Sequence, residues 1–151
     1  MPSLDETRRE LDKDELDYPA LARQLGPDAL PELHALVAED EPRIASKAAY
    51  LAGVIAGPTS EVIVALAALS RHDTVRVAAA ASLPTLPTDD AATIAARLLT
   101  DPDTGVRARA LKSAAHIDEA TVTAQVRTMA TEDPEPDVRD LAGDIAARRP
   151  G

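Results

Sequence analysis

The 151-residue sequence contains no cysteine, tryptophan, phenylalanine or asparagine, and only two tyrosines. Without cysteine the chain can form no disulfide, no thiolate zinc site and no cysteine nucleophile. No apolar run approaches the roughly 18 residues that suggest a membrane-spanning helix. The first residues, MPSLDETRRELDKDELD, are polar and acidic, unlike a signal peptide or an arginine-rich transit peptide. We therefore expect a cytoplasmic protein that has no membrane partner.

Positive charge is also scarce. The chain has 16 lysine and arginine residues against 26 aspartate and glutamate residues, which gives a net charge of −10. Nucleic-acid binders need a cationic surface, because lysine and arginine release the counterions condensed on phosphates. Two tyrosines are also too few to form platforms on which bases stack. The composition therefore argues against a nucleic-acid partner, although it does not fix the charge of any single face.

The sequence does contain an internal repeat, with a spacing of about 31 residues. Four segments align: EPRIASKAAYLAGVI, DTVRVAAAASLPTL, TGVRARALKSAAHI and PDVRDLAGDIAARR. Each has an aliphatic anchor, followed four positions later by an alanine. The anchors are Ile44, Val75, Val106 and Val138, and the alanines are Ala48, Ala79, Ala110 and Ala142. A small residue at one fixed point of every unit lets neighbouring helices approach closely.

A second helical pattern precedes each of these segments, with apolar residues at steps of three and four. The four patterns are PDALPELHALVAE, SEVIVALAALSR, DDAATIAARLLT and DEATVTAQVRTMAT. Acidic residues and proline lie between the two helices of a unit, where they suit the start of the following helix. Each unit is thus predicted to be a helix, a short turn and a helix. One helix pair cannot bury its apolar face, but stacked pairs share a continuous core.

The motif that begins Asp101-Pro102-Asp103-Thr104-Gly105-Val106-Arg107 resembles a HEAT repeat. It is most similar to the short bacterial HEAT-like repeats of the phycobilisome-lyase type, over about residues 27–148. This resemblance implies an all-α solenoid with a ladder of ion pairs between repeats. The ladder it implies joins the arginine after each anchor to an aspartate of the turns: Arg76, Arg107 and Arg139 with Asp40, Asp73, Asp103 and Asp137. Unit 1 has Ala45 in place of the arginine, which suits a terminal repeat.

The expected organisation is one domain, monomeric or weakly dimeric, with an N-terminal helical cap over residues 1–26. Residues 27–151 then form four HEAT-like repeats, at about 27–57, 58–86, 87–117 and 118–149. In the cap, Ser3 and Glu6 have the spacing of a capping box. A second cap helix is predicted from about Tyr18 to Leu25, with Gly26 ending it. Such caps cover a face that internal units bury against a neighbour.

The sequence contains no recognisable motif for catalysis or metal binding beside the helical repeats. The histidines His34, His72 and His116 lie on different predicted elements, and none has another histidine three or four positions away. Residues 101–105 begin like a calcium loop, but the glycine comes one place early and Lys112 takes the place of the bidentate glutamate. The phosphate-binding, dinucleotide-binding and nucleophile-elbow motifs are absent. We therefore predict no catalytic residue, no metal and no cofactor.

One face of the second helices points away from the core positions on a helical wheel. By resemblance to HEAT-type stacks, this face lines the concave surface. It is small and apolar in units 1 and 2, cationic in unit 3, and acidic at Asp140 and Asp144 in unit 4. The predicted partner-binding residues are Lys47, Tyr50, Val77, Ala81, Pro84, Arg109 and Lys112. The alternative is that this face has no binding role: its alanines favour helix formation and its charged side chains are solvated.

Three functions remain open from the sequence. The first is a non-enzymatic binding module, an adaptor, scaffold or accessory factor, which recognises a protein or peptide with an apolar stretch and acidic residues. The second is an enzyme or maturation subunit resembling phycobilin lyases, which would need a chromophore pocket and a partner subunit. The third is a HEAT-like DNA-repair protein, whose relatives use a cationic groove with aromatic residues. The fold alone does not choose among them.

Overall fold

The computed structural model describes residues 2–149, which form ten α-helices, two short 3-10 helices and no strand. The prediction of an all-α fold is confirmed. Met1, in the predicted cap, and Pro150 and Gly151, at the end of the predicted repeat region 27–151, lie outside the described residues. The 3-10 helices are Pro27–Ala29 and Leu83–Thr85. The α-helices are α1 Leu4–Leu11, α2 Tyr18–Leu25, α3 Leu30–Ala38, α4 Pro42–Ile55, α5 Ser60–Ala68, α6 Asp73–Ser82, α7 Thr88–Leu98, α8 Thr104–Ala114, α9 Ala120–Glu132 and α10 Pro136–Ala147.

The helices stack as successive antiparallel pairs in two layers. First helices contact first helices in the order α3, α5, α7, α9, and second helices contact second helices in the order α4, α6, α8, α10. The contacts are more extensive in the second-helix layer. Following the expectation that the second helices line the concave surface, we call this layer the inner layer and the first-helix layer the outer layer. The four pairs fall within the residue ranges predicted for the four repeats, and the division at those boundaries stays a prediction.

The core runs continuously between the two layers. The anchors Val75 and Val106 are completely buried, and all four alanines of the repeat have no exposed surface. The second helices approach closely: a Cβ atom on Gly53 in α4 would lie 2.8 Å from the Cβ of Ser82 in α6. Further along, the hydroxyl of Ser113 in α8 donates to the carbonyl of Ala80 in α6 at 2.6 Å. Small side chains in this layer therefore permit direct contact between neighbouring helix backbones.

The N-terminal helices extend the stack as a shortened pair, because α1 packs against α3 and α2 packs against α4. The capping box of Ser3 and Glu6 is confirmed, and so is the helix Tyr18–Leu25. That helix ends at Gly26, whose φ of 65° is a left-handed backbone angle that favours glycine. Arg8 of α1 pairs with Glu39 at 2.7 Å, which ties the cap to the first repeat.

None of the helices in residues 2–149 combines the length and the apolar character needed to cross a bilayer.

Candidate functional site

Two arginines of the second helices join neighbouring repeats through ion pairs, one partly buried and one buried. Nε and NH2 of Arg76 donate to the carboxylate of Asp101 at 2.9 and 3.2 Å. Nε and NH2 of Arg107 donate to the carboxylate of Asp133 at the same two distances. Each arginine also donates from NH1 to the carbonyl oxygen six residues before it, that of Ser70 for the first and that of Asp101 for the second. Each guanidinium thus links its own turn to the next one.

The aspartates that receive these bonds sit in a fixed turn. Asp101 accepts the backbone N–H of Asp103 at 3.0 Å, and Asp133 accepts that of Glu135 at 3.0 Å. Burial alone would raise the pKa of Asp133. The hydrogen bonds from Arg107 and from the Glu135 backbone, with the charges of Arg107 and Arg139, outweigh it and hold that pKa below its ordinary value. The carboxylate is therefore ionised at neutral pH.

The sequence-based assignment of aspartates to the ladder was wrong. Asp103 instead caps its own helix by accepting the N–H of Val106 at 2.9 Å, and Asp40 binds Arg71 and His72 at the surface. Asp73 and Asp137 make no side-chain hydrogen bond or ion pair within residues 2–149. The ladder needs a carboxylate at the end of the first helix, because only that position faces the preceding unit. An aspartate beside the second helix faces that helix's own free N–H groups.

The interface between the first repeat (α3 and α4) and the second repeat (α5 and α6) lacks both the arginine and the aspartate of the ladder. Ala45 stands at the position of the arginines, and Ser70 stands at the position of Asp101 and Asp133. The Ser70 hydroxyl accepts the N–H of His72 at 3.1 Å, so it keeps the turn without a charge. A buried carboxylate without its arginine would be strongly destabilising, and this interface has neither.

The predicted aromatic anchor is itself packed on an aromatic side chain of the cap. The rings of Tyr50 and Tyr18 meet edge to face, with centroids 4.8 Å apart and planes at 78°. Both residues are half-buried. Burial, together with the nearby Tyr50, raises the pKa of the Tyr18 hydroxyl. Sequence reasoning placed Tyr18 only in the cap, because nothing in the local pattern shows which repeat residue it meets.

Lys47, which was also predicted to bind a partner, makes hydrogen bonds within the chain. Its ammonium group donates to the carbonyls of Leu11 and Lys13 at 2.9 and 2.8 Å. Leu11 is the last residue of α1 and Lys13 lies two residues beyond it. A helix leaves its last carbonyls free and favours a positive charge at this end. The side chain therefore ties the cap to α4, and its predicted contact with a partner stays a prediction.

The other predicted residues lie on α4, α6 and α8, with the exception of Pro84. Val77 and Ala81 are half-buried, and Val77 packs against the core from the side. Pro84 is exposed in the 3-10 helix that follows α6, rather than in α6 itself. Arg109 is half-buried and Lys112 is exposed, and neither makes a side-chain hydrogen bond or an ion pair within residues 2–149. These two cations are therefore available to a ligand.

The described part of the chain also shows no group of three or more histidine, aspartate or glutamate side chains arranged to hold a metal ion.

Comparison with known proteins assigns the architecture. Residues 60–145 match the profile of the family described as HEAT repeats. The chain belongs to the HEAT-repeat family. Its fold is similar to a chain in the solved complex of CpcE and CpcF of phycocyanin lyase from Nostoc sp. PCC7120, with a TM-score of 0.68 and 19% identity over 84% of this chain and 85% of that chain. The resemblance to the phycobilisome-lyase type is thus confirmed, at an identity that shows the fold alone. No curated protein sequence matches the chain.

Proposed function

We propose that this HEAT-repeat protein is a non-enzymatic binding module that holds a segment of a partner protein on its second-helix face. We define this face by Tyr50, Val77, Ala81, Pro84, Arg109 and Lys112. The observation that carries the proposal is that Arg109 and Lys112, beside a half-buried apolar surface, make no side-chain hydrogen bond or ion pair with the residues that the structure describes. In a chain with a net charge of −10, two such cations on the inner layer favour an acidic ligand.

The apolar end of the face offers an anchor that is already ordered. Because its ring packs on Tyr18, Tyr50 loses little side-chain freedom when a ligand covers it. Tyrosine supplies a large apolar area and a hydroxyl group, which is why it is frequent among the residues that dominate binding energy. Val77 and Ala81 on the neighbouring helix continue this surface with small side chains.

The charged end of the face limits the length of the ligand's acidic part. Arg109 and Lys112 both lie on α8, and the next second helix exposes Asp140 and Asp144. Acidic residues would be attracted over α8 and repelled over α10. The expected ligand therefore has an apolar stretch over α4 and α6 and a short acidic stretch over α8.

A protein partner is consistent with the solved neighbour, which is one chain of a two-protein complex. The role proposed here is that of an adaptor or accessory factor inside the cell. A lyase role does not follow from this likeness, because 19% identity carries only the fold.

The test begins with affinity capture from the native host and identification of the bound proteins. The purified partner is then titrated into the wild-type chain and two variants. We expect Tyr50→Ala to weaken binding by about 30-fold or more, which corresponds to about 2 kcal/mol for a dominant anchor. The matched control is Arg97→Ala, an exposed residue on the first helix α7. If the control weakens binding as much while Tyr50→Ala does nothing, the proposed face is wrong.

A further inference from the structure

Helix α5 is apolar on every side, although one of its sides is open to solvent. Residues 62–69 read VIVALAAL. Among the large apolar side chains of residues 2–149, only Val62 and Leu69 are exposed, at 51% and 58%. A helix that is hydrophobic all round is normally buried on all sides. The side of α5 that faces away from the second helices is therefore an apolar surface that no described residue covers.

This apolar surface is not a general property of the repeat. In the register that aligns Ser70 with Asp101, the other first helices have small or polar residues at the two exposed positions: Pro31, Thr93 and Gln125 for Val62, and Ala38, Thr100 and Glu132 for Leu69. Such residues suit a solvated helix surface. Further units of a repeat stack would add at its ends, so they would not reach this side of α5.

We call Val62, Leu66, Leu69 and Arg97 the outer patch. Steps of four and three residues place the three aliphatic side chains along one side of α5, over about 10 Å. Leu66 is half-buried between the two exposed residues. On the neighbouring helix α7, Arg97 lines a hollow together with Leu69 and Ser70, where α5 and α7 end. The outer patch therefore joins an apolar row to a cation at its C-terminal end.

The two ends of this surface carry opposite charge. Arg97 is exposed and forms no ion pair within residues 2–149, and the nearest carboxylate of its hollow, that of Asp101, is engaged by Arg76. At the other end, Glu61 and Asp90 line a second hollow where α5 and α7 begin, and neither belongs to an ion pair of the described residues. An occupant of matching charge has an acidic end and a basic end.

We propose that the outer patch binds an amphipathic helix of a partner protein, antiparallel to α5, with an acidic residue of its first turn against Arg97. The apolar side chains of this helix, spaced three and four residues apart, cover Val62, Leu66 and Leu69. Acidic residues favour the start of a helix and basic residues its end. The antiparallel direction therefore sets the acidic start beside Arg97 and the basic end beside Glu61. This binding goes beyond the function proposed for the second-helix face.

A second copy of the chain fits the outer patch poorly. A two-fold antiparallel pairing centred between Ala65 and Leu66 would set Val62 of one copy on Leu69 of the other. Arg97 lies level with Leu66, because it occupies the same position one repeat later. The same two-fold axis would bring α7 of one copy to face α7 of the other, with both arginines beside the axis. Like charges at this point disfavour self-pairing.

The probe for this proposal is a synthetic amphipathic peptide that carries a fluorophore. It has leucine at steps of four and three, glutamate in its first turn and lysine in its last turn, and a control peptide has glutamine in place of the glutamate. Fluorescence anisotropy with the full chain should show binding of the glutamate peptide. We expect Leu69→Ser to weaken it at least about tenfold. The control peptide should bind the wild type about three- to fivefold more weakly, and Arg97→Gln should abolish this difference between the peptides.

Matched variants separate the outer patch from other surfaces. Ala124→Ser, at an exposed position of the outer helix α9, should leave the affinity for the peptide unchanged, and so should Tyr50→Ala on the second-helix face. Loss of partner binding in Tyr50→Ala with peptide binding intact would thus assign the two surfaces separately. Amide NMR shifts of the labelled wild type should be confined to α5, α7 and the turns at their ends.

No binding of the glutamate peptide, or equal affinity of the wild type and Leu69→Ser for it, would overturn the proposal. Equal affinity of the wild type for the two peptides would overturn the assignment of Arg97. Self-association of the wild-type chain in sedimentation that Leu69→Ser abolishes would also contradict the proposal, because the occupant would then be a second copy.

Discussion

Arg107 and Asp133 form a two-pronged ion pair between the third and fourth helix pairs, with Nε 2.9 Å and NH2 3.2 Å from the two carboxylate oxygens. Their side chains are only 10% and 4% exposed. Removing one partner from such a pair leaves the other charged and out of reach of water, which costs far more than the loss of a surface pair. The pair therefore joins the two units at a point that is sensitive to the loss of either partner.

Loss of this arginine should destabilise the fold much more than loss of an exposed one. We expect Arg107→Ala to lower the free energy of unfolding by about 3–5 kcal/mol, the usual cost of breaking a buried pair. Arg97→Ala, on the outer layer, should change it by about 0.5 kcal/mol or less. Urea unfolding followed by circular dichroism measures both. Equal shifts for the two variants would remove the ion pair from the account of stability.

The contribution of Asp133 should disappear in acid. Its pKa is lower in the folded chain than its ordinary value of about 3.8, because the bonds from Arg107 and Glu135 outweigh the effect of burial. A carboxyl group of this kind stabilises the fold fully above its ordinary pKa, and the effect is lost as the pH falls through the folded value. The difference in stability between the wild type and Asp133→Asn should therefore be constant near neutral pH and shrink below about pH 4.

The matched control for this pH series is Asp137→Asn, which changes an exposed aspartate four residues later. Its effect on stability should be small at every pH. A difference for Asp133→Asn that stays constant down to pH 2.5 would show that ionisation of this carboxyl group does not matter.

The buried alanines should tolerate no larger side chain. Ala79 and Ala110 have no exposed surface and lie where α6 and α8 approach their neighbours. Leucine at either position should lower the free energy of unfolding by about 1–3 kcal/mol, the common cost of overpacking. Ala96→Leu on the exposed side of α7 serves as the control and should have little effect. Unchanged urea midpoints for Ala79→Leu and Ala110→Leu would show that these positions do not set the helix spacing.

Lys112 should act on the rate of partner binding more than on the lifetime of the complex. It is exposed and unpaired within residues 2–149, and exposed charges mainly steer diffusional encounter. We expect Lys112→Glu to slow association and to flatten the dependence of the association rate on salt, with a smaller change in dissociation. Stopped-flow or surface-binding kinetics at several salt concentrations measure this. An association rate that keeps its value and its salt dependence would exclude Lys112 from the encounter.

Periodicity made the helix pairs predictable, because the anchors and the alanine column repeat at the spacing of one unit. The capping box at Ser3 was also predictable, since both of its bonds are local. The aspartates of the ion-pair ladder were not predictable. Each turn offers two acidic positions, and the position where the first helix ends determines which of them faces the preceding unit. One signal was available, since Asp101 and Asp133 are separated by the same stretch of sequence as the anchors Val106 and Val138.

Contacts of the cap could not be predicted at all. Lys47 reaches carbonyls at the end of α1, far from it in sequence, and Tyr18 meets Tyr50 across the same interface. Both depend on how the cap helices dock against α4, and no repeat pattern covers these residues. The docking bears on the candidate site, because it engages the Lys47 ammonium within the chain and places Tyr18 beside Tyr50.

Binding of a partner to the inner layer of second helices can be observed by amide hydrogen exchange of the chain with and without its captured partner. We expect slower exchange on binding in α4, α6 and α8, together with α2 beside Tyr50, and no change in the outer helices α5 and α7. Protection confined to α5 and α7 would show that the partner binds the first-helix layer instead.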